Sequence, residues 1–506
     1  MFMSNFKQQL NQQLGQTENG ALGYFTAGNS FVDFNFRIPS YRTNSGQLWS
    51  DFLEMYRDDQ ILALKMMFFL RDIRGGIGER DSFRWLLKSM AYVNLDFVTK
   101  LIPLVPEYGR WDDLFVLLAT PAESAMLHFV SEQLAADIEN KNVNKPISLL
   151  AKWMPSINAS SKITVAAAKR IIAAFGMSEA NYRRMLSDLR AYLNVVEKNL
   201  SAKELDKIDY AKVPSQAHLR YKHTFGTKDT ERYLTYLEAL VKNEVKINAG
   251  TLAPYQIWSK YSEAWYGVKA YDETLEQLWK NLPDTGSLSS TLVVADGSGS
   301  MNTTVGNSTV TALDVAQSLA VYFGEKCQGE FKNQFITFSS RPQLVHFGSG
   351  SLKSKIEITK RYAEVSNTNI EKVFELVLQT AVTNKMSQAE LPETILIISD
   401  MEFDAASSGY SSWDRDYHAA PDKALFDGLA DEFAEHGYKM PRLVFWNVNS
   451  RSGIIPMQEN EAGVILVSGF NQNAIRMVMT GELDPFLAIK AVLDSERYKA
   501  VELALQ

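Results

Sequence analysis

The chain has 506 residues, 46 % of them apolar and 22 % charged, which is too long for a single hydrophobic core and ordinary for a globular protein of at least two domains. No uninterrupted apolar run reaches the roughly 18 residues that would suggest a membrane span, and the N-terminus lacks the basic-then-apolar pattern of a secretory signal. A single cysteine, Cys327, excludes an internal disulfide and any zinc site built from cysteines, so a cytoplasmic protein is expected.

The net charge of −7 is unevenly spread. Residues 1–285 hold 34 Lys+Arg against 32 Asp+Glu, leaving 18 against 27 for the remainder. Within the first part, residues 141–232 carry 17 basic and 8 acidic side chains. A basic stretch followed by an acidic half suggests two tasks, and the basic part is a candidate for a polyanion.

From about residue 47 to 280 apolar residues recur at three- and four-residue spacing, as in QLWSDFLEMYRDDQILALKMMFFLRDI and ANYRRMLSDLRAYLNVVEKNL. Short Gly-, Pro- or Asn-containing breaks separate these runs, so a helical array of degenerate pairs is expected. Three stretches stand out within it: GGIGERDSFRWLL, YGRWDDL and AKWMPS. Gly75, Gly76 and Gly78 permit a tight inter-helix turn flanked by Arg71, Arg74 and Arg80, with Glu79 and Asp81 as ion-pair partners. Asp112 and Asp113 suit the positive end of a helix dipole. The plainer explanation of these Arg/Asp sets is that they hold helical pairs together. Phosphate contacts are available from Lys152, Lys162, Lys169, Arg170, Arg183, Arg184, Arg190, Arg220, Lys222 and His223, with Tyr182 and Tyr221 nearby for stacking. A solvated helix face would carry the same residues.

Near Asn281 the texture changes. TLVVAD, QFITFSS, ETILIISD, RLVFWNV and GVILVSG are Val/Ile/Leu-rich runs alternating with the helical patterns TALDVAQSLAVYFGEKC, IEKVFELVLQTAVT and DKALFDGLADEFAEHG. That alternation predicts a parallel sheet covered on both faces. Residues 471–506 read as two short helices closing the chain.

In such a sheet, ligands sit beyond the carboxyl ends of the strands. Asp296, Ser298 and Ser300 follow the first strand, Asp400 ends another, and Thr368 lies in VSNTNIEKVF before a helix. Two carboxylates and three hydroxyls form an all-oxygen set suited to Mg²⁺, Mn²⁺ or Ca²⁺. Two carboxylates balance a divalent ion, which stays electrophilic towards one more oxygen, typically a partner's carboxylate. Asp-Gly-Ser-Gly-Ser is also ordinary turn chemistry. The sequence has no Gly-x-Ser-x-Gly, no Gly-x4-Gly-Lys-Ser/Thr and no His-Glu-x-x-His, so no catalytic constellation is expected.

Asp296-x-Ser298-x-Ser300 with Thr368 and Asp400 resembles the metal-ion-dependent adhesion site of von Willebrand factor A domains. The three helical-part motifs resemble the TROVE-type module of the Ro autoantigen ribonucleoproteins and a related family, in which helical repeats precede an A domain. The resemblance implies an all-α HEAT-like helical-repeat ring over residues 1–285, then an α/β doubly wound, Rossmann-like A domain over 286–470. Residues 471–506 would then pack back on the helical part. It also implies Mg²⁺ (or Mn²⁺/Ca²⁺) at the five-residue site and RNA, structured or single-stranded, on the basic helices. The expected function is a non-enzymatic RNA-binding scaffold with a possible protein ligand through the metal. The alternative is a metal-dependent protein-interaction adaptor without RNA.

Overall fold

In a computed structural model of the chain, the described residues are 14–16, 22–263, 267–286, 288, 290–306, 308–339, 341–362, 370–402, 423–451, 453–455, 464–482 and 484–506. Among the described residues, the part before residue 280 is helical apart from one short hairpin, and a six-stranded mixed sheet follows it. Two compact units divide the chain, and neither is continuous. One comprises Met1–Ala63 with Leu252–Leu493, the other Leu64–Thr251 with Asp494–Gln506.

The first unit contains all the described strands. β1 (Leu14–Gln16) and β2 (Leu22–Tyr24) form an antiparallel hairpin. The main sheet is built from β3 (Thr291–Asp296), β4 (Gln334–Phe338), β5 (Leu344–His346), β6 (Thr394–Ser399), β7 (Arg442–Asn447) and β8 (Val464–Ser468). Its order is β5-β4-β3-β6-β7-β8, parallel throughout except for β5 at one edge. The five apolar runs read as strands are β3, β4, β6, β7 and β8. β5 carries no such run: only Val345 of its three residues is buried, so three residues at a sheet edge leave no periodic signature.

Every residue of β3, β6 and β8 is buried, so helices cover both faces. The helix Ala312–Lys326 packs on β3 and β4 and starts from a Thr311 hydroxyl cap on the Asp314 N–H. The helix Ser30–Arg37, capped by Asn29, lies against β8, as does Pro485–Leu493. Asn447 ties this N-terminal helix to β7 by donating to the Phe36 carbonyl at 2.8 Å.

The second unit is a set of helices with short links. The unit begins within Gln60–Arg71, and Arg80–Val93, Glu123–Asn142, Lys162–Ala174, Glu179–Tyr192, Ser215–Lys228 and Thr230–Val241 are its longer members. WDDLFVL, expected as an α-helix, is a 3-10 segment over Trp111–Leu117. The chain's last helix, Lys499–Leu505, packs on Leu95–Leu101. Residues 471–506 hold three α-helices rather than two, and they are shared between the units.

Candidate cation site and basic helices

The chain leaves β3 towards β4 on one side of the sheet and later returns through β6 on the other, so β3 and β6 flank the switch point. A crevice opens there in doubly wound sheets. Ala295 is level with Ile398, which brings Asp296 beside Ser399 and Asp400. The Ser399 hydroxyl donates to Asp296 Oδ2 at 2.5 Å, and the Ser298 N–H donates to Asp296 Oδ1 at 2.8 Å. Ser298 Oγ and Ser300 Oγ lie 3.0 Å apart.

Asp400 is 1 % exposed. Its Oδ1 accepts the Glu402 N–H at 3.2 Å, whereas Oδ2 is buried and accepts no hydrogen bond. Burial raises the Asp400 carboxyl well above the usual carboxylate range, and the charges of Asp296 and Glu402 add to the rise. The Glu402 backbone N–H and the Ser300 hydroxyl oppose it. Four of the five predicted residues thus converge: Asp296, Ser298, Ser300 and Asp400. The fifth, Thr368, lies outside the described residues.

Sequence reasoning missed the rest of the shell. Glu402 is buried and accepts the Arg451 N–H at 2.9 Å, while Arg451 Nη2 stands 3.9 Å from Asp400 Oδ2. Met401 between the two acids adopts φ +60°, the conformation that sends the chain sharply away from the strand end. Two acids spaced by one residue in SDMEF were the available signal for Glu402. Nothing local marks Arg451, which follows a different strand.

Among the described residues, no three His, Cys, Asp or Glu side chains are grouped to hold a metal. The set here relies instead on two carboxylates and hydroxyls. Its chemistry fits a hard divalent cation: two buried acids in mutual repulsion, one with an oxygen lacking any donor, and no thiol or imidazole.

The basic candidates all fall in the second unit, on four helices. Lys162, Lys169 and Arg170 lie on Lys162–Ala174, Arg183, Arg184 and Arg190 on Glu179–Tyr192, and Arg220, Lys222 and His223 on Ser215–Lys228. Lys152 is on the short helix Leu150–Trp153. Lys162, Lys169, Arg170, Arg183, Arg184, Arg220 and His223 are exposed, and Lys152, Arg190 and Lys222 are half-buried. Arg190, Arg170 and Lys152 are among those engaged internally. Arg190 donates to the carbonyls of Ala151 and Met154, Arg170 pairs with Glu123 at 2.6 Å, and Lys152 with Glu197 at 3.2 Å. The expectation that Tyr182 stacks on bases is corrected. Its ring is fully buried and its hydroxyl donates to the Pro155 carbonyl at 2.8 Å, so no base can reach it.

The three marked stretches meet in the same unit. Asp113 is fully buried and accepts from Arg71 Nε at 2.8 Å, Arg84 Nε at 2.6 Å and the Arg110 N–H at 2.9 Å. Asp112 takes Arg84 Nη2 at 2.7 Å and Arg110 Nη2 at 2.9 Å. The Arg110 guanidinium also lies over the Trp153 ring at 4.3 Å, joining YGRWDDL to AKWMPS. The structural explanation of these motifs therefore accounts for their contacts.

Two family models match separate parts of the chain. Residues 124–286 match a domain of unknown function (DUF2828), and residues 290–498 match another domain of unknown function (DUF7788). Among solved structures, the Ro (RSR) protein of Deinococcus radiodurans is similar over 92 % of this chain and 93 % of that one, at 13 % identity and a TM-score of 0.40. Among curated proteins, "Uncharacterized protein L728" of Acanthamoeba polyphaga mimivirus is 30 % identical over 526 residues, spanning 95 % of this chain and 87 % of that relative. By that extent of identity, the chain belongs to the same family as the mimivirus protein.

Proposed function

We propose that the protein is a non-enzymatic Ro-like scaffold in which exposed basic helices bind RNA and the sheet domain grips a partner through a divalent cation. The observation that carries the cation half is the unmet Asp400 Oδ2, buried beside Asp296 at the switch point of the sheet. Asp296, Ser298, Ser300 and Asp400 would hold the ion, with Thr368 as a fifth donor. The ion would neutralise the two acids and present an electrophilic position to a carboxylate of a protein ligand.

Support for the RNA half comes from the seven exposed basic residues on three helices and from the motif resemblance of the helical part. Filter binding of a labelled structured RNA at two salt concentrations tests it. Affinity should fall steeply with salt, and charge reversal at Arg183 and Arg184 should weaken it. Salt-insensitive binding, or none, rejects this half.

The second reading, a protein-interaction adaptor without RNA, is favoured by the internal pairing of Lys152, Arg170 and Arg190, which reduces the free basic surface. It predicts a Mg²⁺-dependent protein partner that is lost in Asp296→Ala, with no RNA bound.

A further inference from the structure

The helix Lys162–Ala174 is apolar on two faces, and its neighbours cover only one of them. At about 3.6 residues per turn, Ala168, Ile171 and Ile172 share the face buried in the helical unit. Ile163, Ala166, Ala167 and Arg170 fall at i, i+3, i+4 and i+7, so they share another. On that second face Ile163 is 84 % exposed, more than any other large apolar side chain among the described residues. A helix that is apolar over most of its surface is ordinarily covered on more than one side.

The uncovered face forms one wall of a groove of about 610 Å³, a size within the roughly 300–1,000 Å³ range of binding sites. The helix Arg80–Val93 supplies Trp85 to it, and the 3-10 segment Trp111–Leu117 with the residue after it supplies Phe115, Val116 and Leu118. Ala166 and Ala167 reach no further than Cβ, so the space between the helices is not filled from within. All of these residues belong to the helical unit. Charge around the groove is one-sided: Arg84, Lys88 and Arg170 line it against a single acid, Asp81. Arg84 and Arg170 also pair with Asp113 and Glu123, both at 2.6 Å, whereas Lys88 is exposed.

We infer that this groove docks an amphipathic α-helix of a partner protein, with its apolar residues inward and acidic residues along its edges. A channel walled by two helices accepts a third by side-chain interdigitation, and the apolar stripe of the guest covers Ile163 and Trp85. The cationic excess selects carboxylates on the flanks of that guest. Beyond Trp85 and Phe115 the apolar lining is aliphatic, and two of the three cations are partly neutralised by acids of the protein. Such a surface suits aliphatic side chains with a few carboxylates better than a nucleic acid, which needs stacking platforms and phosphate contacts. Of the basic residues assigned to RNA on Lys162–Ala174, only Arg170 lines the groove, so the two surfaces draw mainly on different side chains.

Fluorescence anisotropy on the full chain tests the inference. The probe is a labelled peptide of about 18 residues with leucines at i, i+3, i+4 and i+7 spacing and glutamates between them. It should bind saturably, and the same peptide with lysines in place of the glutamates should bind about tenfold more weakly. Ile163→Asp should weaken the acidic peptide about tenfold and Lys88→Glu about threefold. Both side chains are exposed, so neither variant should move the unfolding temperature by more than about 2 °C. Absence of saturable binding, equal affinity for the lysine peptide, or indifference to Ile163→Asp overturns the inference. Unlabelled single-stranded oligoadenylate should not displace the acidic peptide; displacement would assign the groove to nucleic acid and overturn it as well.

Discussion

Asp113 carries no solvent exposure, yet it accepts two arginine Nε–H groups and one backbone N–H. Cutting its side chain back would strand Arg71, which is nearly as buried. Asp113→Ala should therefore destabilise the helical unit by about 3–5 kcal/mol, read as a fall in the urea midpoint. The neighbouring glycines follow from the same cluster. A Cβ at Gly109 would lie 2.4 Å from Asp113 Oδ2 and 3.0 Å from Arg71 Nε, and one at Gly76 would lie 2.0 Å from the Phe69 carbonyl oxygen. Gly76→Ala meets backbone rather than a flexible side chain, so it should be the more damaging of the two in thermal unfolding. His218 supplies a pH dependence. It is fully buried among Tyr210, Phe225, Tyr233 and Tyr236, and burial pushes its imidazole down to about 4, with a Val213 backbone contact opposing. Between the usual value near 6.5 and about 4, the unfolded chain takes a proton that the folded chain refuses. The His218 contribution is then complete above pH 6.5 and declines as pH falls through that window. Between pH 7 and pH 5 His218 should contribute a loss of about 2 kcal/mol, against an opposing gain from the raised Asp400 carboxyl, so it is read as the difference between wild type and His218→Phe in urea unfolding at the two pH values.

At the scale of elements, the helix Glu179–Tyr192 shows how one pattern serves two roles. Tyr182, Leu186 and Leu189 form its buried stripe, while Arg183 and Arg184 are exposed on the other side. Arg190 lies near the boundary and serves the fold by donating to two carbonyls. Arg183→Glu with Arg184→Glu should leave the unfolding temperature nearly unchanged. In the RNA-binding reading, the double variant should lower the salt slope of binding by about two. Arg190→Glu should instead destabilise the protein. Periodicity distinguishes the buried stripe from the exposed face, which is why the helices and five of the main strands were legible from residue order. It does not tell a phosphate contact from a carbonyl brace, because both use the same arginine. It also missed β5, whose short edge position needs neither alternation nor an apolar run.

For the whole molecule, the legible part of the site was the part encoded within single loops. Asp296, Ser298 and Ser300 are neighbours in sequence, and Asp400 ends its own strand, so a sheet rule sufficed to bring them together. Arg451 enters from the end of β7, and only the register of β6 against β7 places it opposite Asp400. The discontinuous units were illegible for the same reason. Amphipathic faces report that a helix packs, but not that Ser30–Arg37 packs on β8 or Lys499–Leu505 on Leu95–Leu101. The central claim is that the β3–β6 edge is a divalent-cation site, and counting bound ions tests it most directly. Titrating Mn²⁺ into the full chain and following the free-ion electron paramagnetic resonance signal should reveal one tight ion per chain, released by excess Mg²⁺ and absent in Asp296→Asn and Asp400→Asn. Full-strength free Mn²⁺ from the first addition, or a bound ion indifferent to both substitutions, would contradict it.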